Sequence, residues 1–348
     1  MTVPLLPPEV LAAFPVAPES TVERISIGLV NRTFKVTEPG GRRFVLQALH
    51  PVFHGRVNDD IDHITTRLAE EGVATPRVVR TRSGESYFPF EGQTFRMLTF
   101  LEGRTIEAVT APEIAEAAAA HLARFHMALD GFDHRFAFVR EGVHDTARFA
   151  EKLGALASKG PSTDQTRTVA EALIALAHRI PPTPGLPLRI VHGDLKISNV
   201  LFSLDEAKAL ALCDLDTLQL GTIETELGDA LRSWCNPKGE SDPPAVFDRT
   251  IFDATLRGYA DTAPTLLTER EARSIPRGAV RMTTEVGIRF CIDVYEDRYF
   301  GWDPQRFGSR REHNLVRARS QLSLAVAIEA ALVDLDAQVA NTLGLPSP

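Results

Sequence analysis

The chain changes character near residue 103, and that change limits the folds open to it. Before it, short β-prone runs at Thr21–Leu29, Thr33–Thr37, Arg43–Leu49, Arg77–Thr81 and Thr94–Phe100 are divided by turn clusters such as Glu38-Pro39-Gly40-Gly41 and Ser83-Gly84. A helical pattern over Asn58–Glu71 interrupts them, with Ile61, Ile64 and Leu68 on one face. After residue 103 helical periodicity dominates. It begins with Ala111–Leu129, behind Thr110 as N-cap and with Glu113 three residues on. Further helices are expected at about 145–157, 164–179, 224–235, 244–261, 268–300 and 310–342. Between them lies a β-prone island, Leu188–Val191, Val200–Ser203 and Ala207–Cys213, with Asp205-Glu206 at the turn. The pattern predicts an α+β chain of two lobes: a small β-rich lobe over 1–101 and a large, mostly helical lobe over 102–348.

Charge and composition narrow the function classes. A formal net charge of -8 over 348 residues argues against a general binder of nucleic acid or anionic membrane. Cys213, Cys235 and Cys291 lie far apart without metal-ligand spacing, as in a reducing compartment. The first twenty residues lack a signal-peptide pattern, and the apolar stretch Leu322–Leu335 is broken by Glu329 and Asp334. These features lead us to expect a cytoplasmic enzyme without nucleic-acid or membrane partners; we further expect a monomer or homodimer, and the motif below points to a small-molecule acceptor.

The chemistry concentrates in Ile190-Val191-His192-Gly193-Asp194-Leu195-Lys196-Ile197-Ser198-Asn199-Val200-Leu201-Phe202. Apolar runs flank a polar loop, so a carboxylate, a lysine and an amide are presented from rigid supports. A second acidic cluster, Asp214-Leu215-Asp216, follows the next expected strand. Phosphoryl transfer needs this inventory: a carboxylate to orient the acceptor hydroxyl, oxygen ligands for Mg²⁺, and a cation near the γ-phosphate.

His192-Gly193-Asp194-x4-Asn199 followed by Asp214 resembles the catalytic and metal segments of the aminoglycoside/choline kinase-like phosphotransferases, a family similar in fold to the protein kinases. The resemblance implies ATP and Mg²⁺, with Asp194 as catalytic base and Asn199 and Asp214 as metal ligands. Lys196 would meet the γ-phosphate, His192 would brace the loop, and Asp216 would lie by the metal or the acceptor. In the small lobe, Ser26–Val36 resembles the loop that covers the phosphates, which assigns Gly28, Asn31 and Thr33 to the nucleotide. Thr99-Phe100-Leu101-Glu102-Gly103 resembles the hinge, where backbone at Thr99 and Leu101 would read adenine. Protein kinases place a lysine on the third strand; Arg43–Leu49 offers Gln47 instead, so the metal or another basic residue must compensate. That substitution is also the argument for a catalytically dead nucleotide-binding module.

Further segments bring the resemblance closest to the N-acetylhexosamine 1-kinases. They are Val30–Phe34, Arg43–Gln47, His144-Asp145-Thr146 with Arg148-Phe149, Cys213–Thr217, Gly228–Arg232, Gly287–Phe290 and Glu312–Arg317. The resemblance implies phosphorylation of a free amino sugar at its anomeric hydroxyl, with Arg289 and Tyr299 holding the sugar. The residues alone fit this less specifically: Arg289, Asp293 and Glu296 share a helix face, as on a salt-bridged surface. Leu29 stands where those kinases carry a sugar-contacting histidine, which leaves plain hexoses, other amino sugars or a different alcohol open. Within the wider family an aminoglycoside, a choline-like alcohol or homoserine is the alternative acceptor.

Overall fold

The computed structural model describes residues 6–25, 31–140, 142–160 and 163–346. The N-terminal part is built from α1 (Pro8–Ala12), β1 (Thr21–Ile25), β2 (Arg32–Thr37), β3 (Arg43–Ala48), α2 (Val57–Glu70), β4 (Val78–Val79), β5 (Phe88–Phe90) and β6 (Gln93–Thr99). The strands form an antiparallel sheet in the order β1-β2-β3-β6-β4, with β5 also on β6. Strand alternation sends Phe34, Val36, Phe44, Leu46, Phe95 and Met97 to one face, where they pack with Val10 and Phe14 of α1. The other face carries a cross-strand row, Thr33–Gln47–Arg96, set by the β2–β3 and β3–β6 registers.

The remainder is helical around a few short strands. It comprises α3 (Pro112–Leu129), α4 (Thr146–Lys159), α5 (Asp164–Arg179), β7 (Arg189–Val191), β8 (Val200–Phe202), β9 (Ala209–Leu212), β10 (Gln219–Gly221), α6 (Ile223–Trp234), α7 (Arg249–Thr262), α8 (Glu269–Glu296), α9 (Arg310–Ala330) and α10 (Leu332–Thr342). The linker is fastened to β8: Arg104 and Phe202 exchange backbone hydrogen bonds of 2.8 Å each. Gly103 permits this, because a Cβ there would stand 2.6 Å from the Phe202 carbonyl oxygen. This two-part architecture is the kinase-like fold expected from the sequence.

Several boundaries differ from expectation. Helix α3 starts at Pro112 with Ala111 as N-cap, so Thr110 makes no cap; proline suits the first turn because its missing N–H would have no partner. Helix α8 stops at Glu296, where Asp297 turns left-handed at φ 55°. The expected 310–342 helix is two helices, interrupted at Ala331. Strands β5 and β10 are too short to leave a period-2 signal.

Helices α6 and α8 pack against each other through glycines. A Cβ on Gly228 would lie 2.5 Å from the Gly278 carbonyl, and one on Gly278 would meet the Glu224 carbonyl oxygen. We expect Gly278→Ala to cost about 1–3 kcal/mol by forcing these helices apart, read by urea denaturation. Unchanged stability would contradict the close approach.

Candidate active site

The loop after β7 is held mainly through its backbone donors. Glu226 accepts from His192 N (2.7 Å) and Gly193 N (2.9 Å), Asp229 from Leu195 N (2.8 Å), and Ser233 Oγ from Ile197 N (3.1 Å). Trp234 Nε1 donates to the Leu195 carbonyl at 2.8 Å. All four anchors lie on α6. Burial pushes the Glu226 carboxyl up, but the His126 ring and the loop donors outweigh it and hold it below the usual range. Gly193 is required at φ 78°, since a Cβ would stand 2.5 Å from the Thr217 carbonyl oxygen. His192 Nε2 donates to the Cys213 carbonyl (2.8 Å) and Nδ1 accepts from Asp194 N (3.3 Å), so it ties the loop to the segment ahead of Asp214.

The loop brings the charged groups together. Lys196 Nζ lies 3.2 Å from Asp194 Oδ2, and Asn199 Nδ2 donates to the Asp194 carbonyl (2.7 Å) and Oδ2 (3.1 Å). Burial raises the Asp194 carboxyl, yet the charges of Lys196 and Arg232 among others prevail and keep it low. Burial likewise lowers Lys196, and Asp194 and Asp214 more than restore it. Asp214 is left-handed at φ 60° and exposed to the cleft. Desolvation by the cleft walls, with the Asp216 and Asp194 carboxylates nearby, pushes it up to about 6.

These residues fit a magnesium ion. Asn199 spends its amide nitrogen on Asp194 and keeps Oδ1 free, and the Asp214 carboxylate makes no hydrogen bond among the described residues. Mg²⁺ binds one or two protein oxygens and completes its shell with water and phosphate. Among the described residues no cluster of His, Cys, Asp or Glu forms a metal cage without such help.

The small-lobe residues assigned to the nucleotide are found in mutual contact. Gln47 Nε2 donates to Thr33 Oγ1 at 3.2 Å, and Asn31 Oδ1 accepts from His50 N at 2.8 Å. Asn31 Nδ2 donates to Asp216 at 2.7 Å. Asp216 therefore differs from expectation: it is buried beneath the sheet and clasped by both terminal nitrogens of Arg96, so it does not open toward metal or acceptor. Thr99 uses its N–H and hydroxyl on Arg77 (2.8 and 2.9 Å), whereas the Leu101 backbone makes no hydrogen bond among the described residues. Gly28 and Leu29 lie outside the described residues.

Toward α8, His144 Nε2 donates to the Gly193 carbonyl (3.0 Å) and Nδ1 to Glu285 (3.1 Å), which also accepts from Thr146 Oγ1 (2.6 Å). With both ring nitrogens facing acceptors, the imidazolium form is favoured. Burial opposes it, but Glu285 outweighs burial and raises His144. One turn further along α8 stands Arg289, between the rings of Phe149 and Phe300 (5.8 and 5.7 Å). Asp293 accepts from Arg298 N, Tyr299 N and Phe300 N (2.9, 2.8 and 2.9 Å), turning the chain so that Tyr299 lies beside Arg289. Arg140 Nη2 reaches the Tyr299 hydroxyl at 3.5 Å. The phenol is half-exposed; partial desolvation would raise it, but Arg140 and Arg289 prevail and lower it. Among the described residues neither arginine forms an ion pair.

Sequence reasoning did not single out Arg96, Glu226 or Arg140. Arg96 had a signal: an arginine inside the apolar strand Thr94-Phe95-Arg96-Met97-Leu98, where charge persists only if paired.

The chain belongs to the phosphotransferase enzyme family, whose model matches residues 21–264. It is accordingly a kinase of the aminoglycoside/choline kinase-like group, acting on a small molecule. It is 28% identical over 288 residues to a homoserine kinase of Xanthobacter autotrophicus, covering 81% of this chain and 82% of that protein. A homoserine kinase of Gluconacetobacter diazotrophicus is 29% identical over 212 residues, 60% of this chain and 61% of that protein. In fold the chain is similar to a microcompartment-associated aminopropanol kinase, with a TM-score of 0.67 at 15% identity over 94% of this chain and 97% of that one. These relatives support the family and leave the narrower resemblance to N-acetylhexosamine 1-kinases unsupported.

The loop anchors generate a mutational expectation. In Glu226→Gln one backbone N–H would face an amide N–H, costing about 1–3 kcal/mol and lowering turnover. Denaturation and steady-state rates together test this, and unchanged values for both would contradict the anchoring role.

The His144–Glu285 pair generates a pH dependence. His144 has a raised folded pKa, so its stabilisation is complete below the unfolded value of about 6.5 and is lost as pH rises through the folded pKa. Stability measured between pH 6 and 9 should fall more steeply in the wild type than in His144→Gln. Equal slopes would contradict the charged pair.

Proposed function

We propose that the chain is an ATP- and Mg²⁺-dependent kinase that phosphorylates the hydroxyl of a small metabolite carrying an anionic group, with homoserine the leading candidate. The observation that carries the acceptor class is the pair of guanidiniums, Arg289 and Arg140, converging on Tyr299 without a carboxylate partner among the described residues. Glu285 and Arg289 are four apart on α8 and so share a face. His144 links that face to the carbonyl of Gly193, next to Asp194. An acceptor whose carboxylate meets the arginines would thus lie against the catalytic loop. The homoserine kinases among the relatives favour the same class.

In the proposed reaction Asp194 accepts a hydrogen bond from the acceptor hydroxyl and orients it in line with the γ-phosphorus. The new O–P bond forms as the bond to the β–γ bridging oxygen breaks, ADP leaves, and the hydroxyl proton passes late to Asp194. A carboxylate held at low pKa is a weak base, which suits a loose transition state where orientation outweighs early deprotonation. Lys196 offsets charge on the transferring phosphoryl group, and Asn199 and Asp214 would hold the Mg²⁺ that neutralises the phosphate oxygens.

A second reading keeps a free amino sugar as acceptor. Arg289 and Tyr299, which the resemblance to sugar 1-kinases pairs, are adjacent here, and an arginine fork can also hold sugar hydroxyls.

ADP formation across homoserine, N-acetylglucosamine, N-acetylgalactosamine, glucosamine, galactose, glucose, choline and kanamycin separates these readings. We expect turnover with homoserine and none with choline. Arg289→Leu should raise the KM for homoserine roughly 10–100-fold, as loss of hydrogen bonds to a charged group implies, with the KM for ATP unchanged. Turnover on a free sugar alone, blocked by methylation of its anomeric oxygen, would establish the second reading. No turnover on the whole panel, with ATP still bound, would favour a nucleotide-binding module.

A further inference from the structure

Kinase architecture pairs a third-strand lysine with a glutamate on the adjoining helix, and the lysine holds the α/β-phosphates. Here β3 presents Gln47 and α2 presents Asn58, both neutral amides. Between them stands Arg96, one strand over. Its Nε donates to Gln47 Oε1 at 2.8 Å and its Nη1 to Asn58 Oδ1 at 3.3 Å. Both terminal nitrogens donate to Asp216, Nη2 at 3.0 Å. The two side chains are each 1% exposed.

Taking two such charges out of water costs several kcal/mol per ion, and such a pair is seldom a strong net source of stability. This one is bidentate and has its remaining polar atoms met, Asp216 Oδ2 also accepting from Asn31 Nδ2. It joins the sheet to the turn directly after Asp214, crossing between the parts of the molecule that must enclose a nucleotide.

We propose that Arg96 and Asp216 form a clasp that fixes the Asp214 segment beneath the small-lobe sheet, replacing the lysine–glutamate pair that Gln47 and Asn58 cannot form. Arg96 is then a positioning residue for the metal–nucleotide phosphates, acting through Asp216 and the backbone leading to Asp214. The inference rests on the phosphoryl-transfer reading. It also weakens the main argument for a dead enzyme, because Arg96 on β6 takes over the bracing part of the missing pair and leaves the phosphate charge to Lys196 and the metal.

The test must separate positioning from folding. Arg96→Gln alone leaves Asp216 buried without a counter-charge and can fail to fold. The deciding variant is Arg96→Gln with Asp216→Asn, which removes both charges and keeps hydrogen-bonding groups. Thermal unfolding, Mg·ATP binding by calorimetry, and turnover against Mg²⁺ concentration are compared with wild type. We expect a folded protein whose Kd for Mg·ATP and half-saturating Mg²⁺ concentration rise about tenfold or more, while the acceptor KM stays unchanged. Arg96→Lys, keeping charge but losing the fork, should fall between. A folded double variant with wild-type Mg·ATP affinity and Mg²⁺ dependence would overturn the clasp and leave the kinase reading intact. Wild-type protein that binds no Mg·ATP would overturn the kinase reading, and the clasp with it.

Discussion

Everything at this site depends on carboxylates of α6 holding the backbone of a buried loop. The N–H groups of His192, Gly193 and Leu195 point inward, away from water, and an unpaired buried donor would cost about 1–3 kcal/mol. Glu226 and Asp229 accept from all three. Spaced three apart, they share a helix face, with Ser233 and Trp234 one to two turns further along. With the loop's backbone held from α6, the side chains of Asp194 and Lys196 can face the cleft, while His192 and Asn199 brace the loop from within. Helix α6 can hold this position because Gly228 and Gly278 let it lie against α8.

The second organising fact is a concentration of negative charge. Asp194, Asp214 and Asp216 stand close enough to influence one another. Each is answered differently: Asp194 by Lys196, Asp216 by Arg96, and Asp214 by no cation in direct contact among the described residues. That leaves Asp214, with the free oxygen of Asn199, as the place where a divalent ion would relieve the repulsion. A different charge pattern lies beyond His144, where Arg140 and Arg289 gather around a phenol. In the proposed reaction the carboxylate side of the loop would take the cation and its phosphates, and the guanidinium side the anionic group of the acceptor.

Much of this was legible in the sequence, and for identifiable reasons. Asp194, Lys196, Asn199 and Asp214 lie within a short span between apolar strands, so local pattern alone predicts their proximity. The change near residue 103 separates sheet from helices because period-2 and 3.6-residue patterns differ. The Arg96–Asp216 pair was not legible, since its partners are 120 residues apart and only the packing of β6 over the turn after Asp214 brings them together. The same limit hid Glu226 and Arg140, whose partners sit on other elements. Asp216 was read from its nearness in sequence to Asp214, but the turn between them sends the two side chains to different sides. The narrower resemblance to sugar kinases selected the adjacent residues Arg289 and Tyr299, but residue identity alone could not choose between sugar hydroxyls and a carboxylate.

The central claim is that Asp194 orients a small-molecule hydroxyl for transfer of the γ-phosphoryl group. Phosphorus NMR of a reaction containing ATP, Mg²⁺ and homoserine tests it most directly, run in parallel with the Asp194→Asn protein. The account predicts a phosphate monoester resonance that grows with ADP in the wild type and is absent from the variant, which still binds ATP. The same monoester at the wild-type rate from Asp194→Asn would contradict the role of this carboxylate.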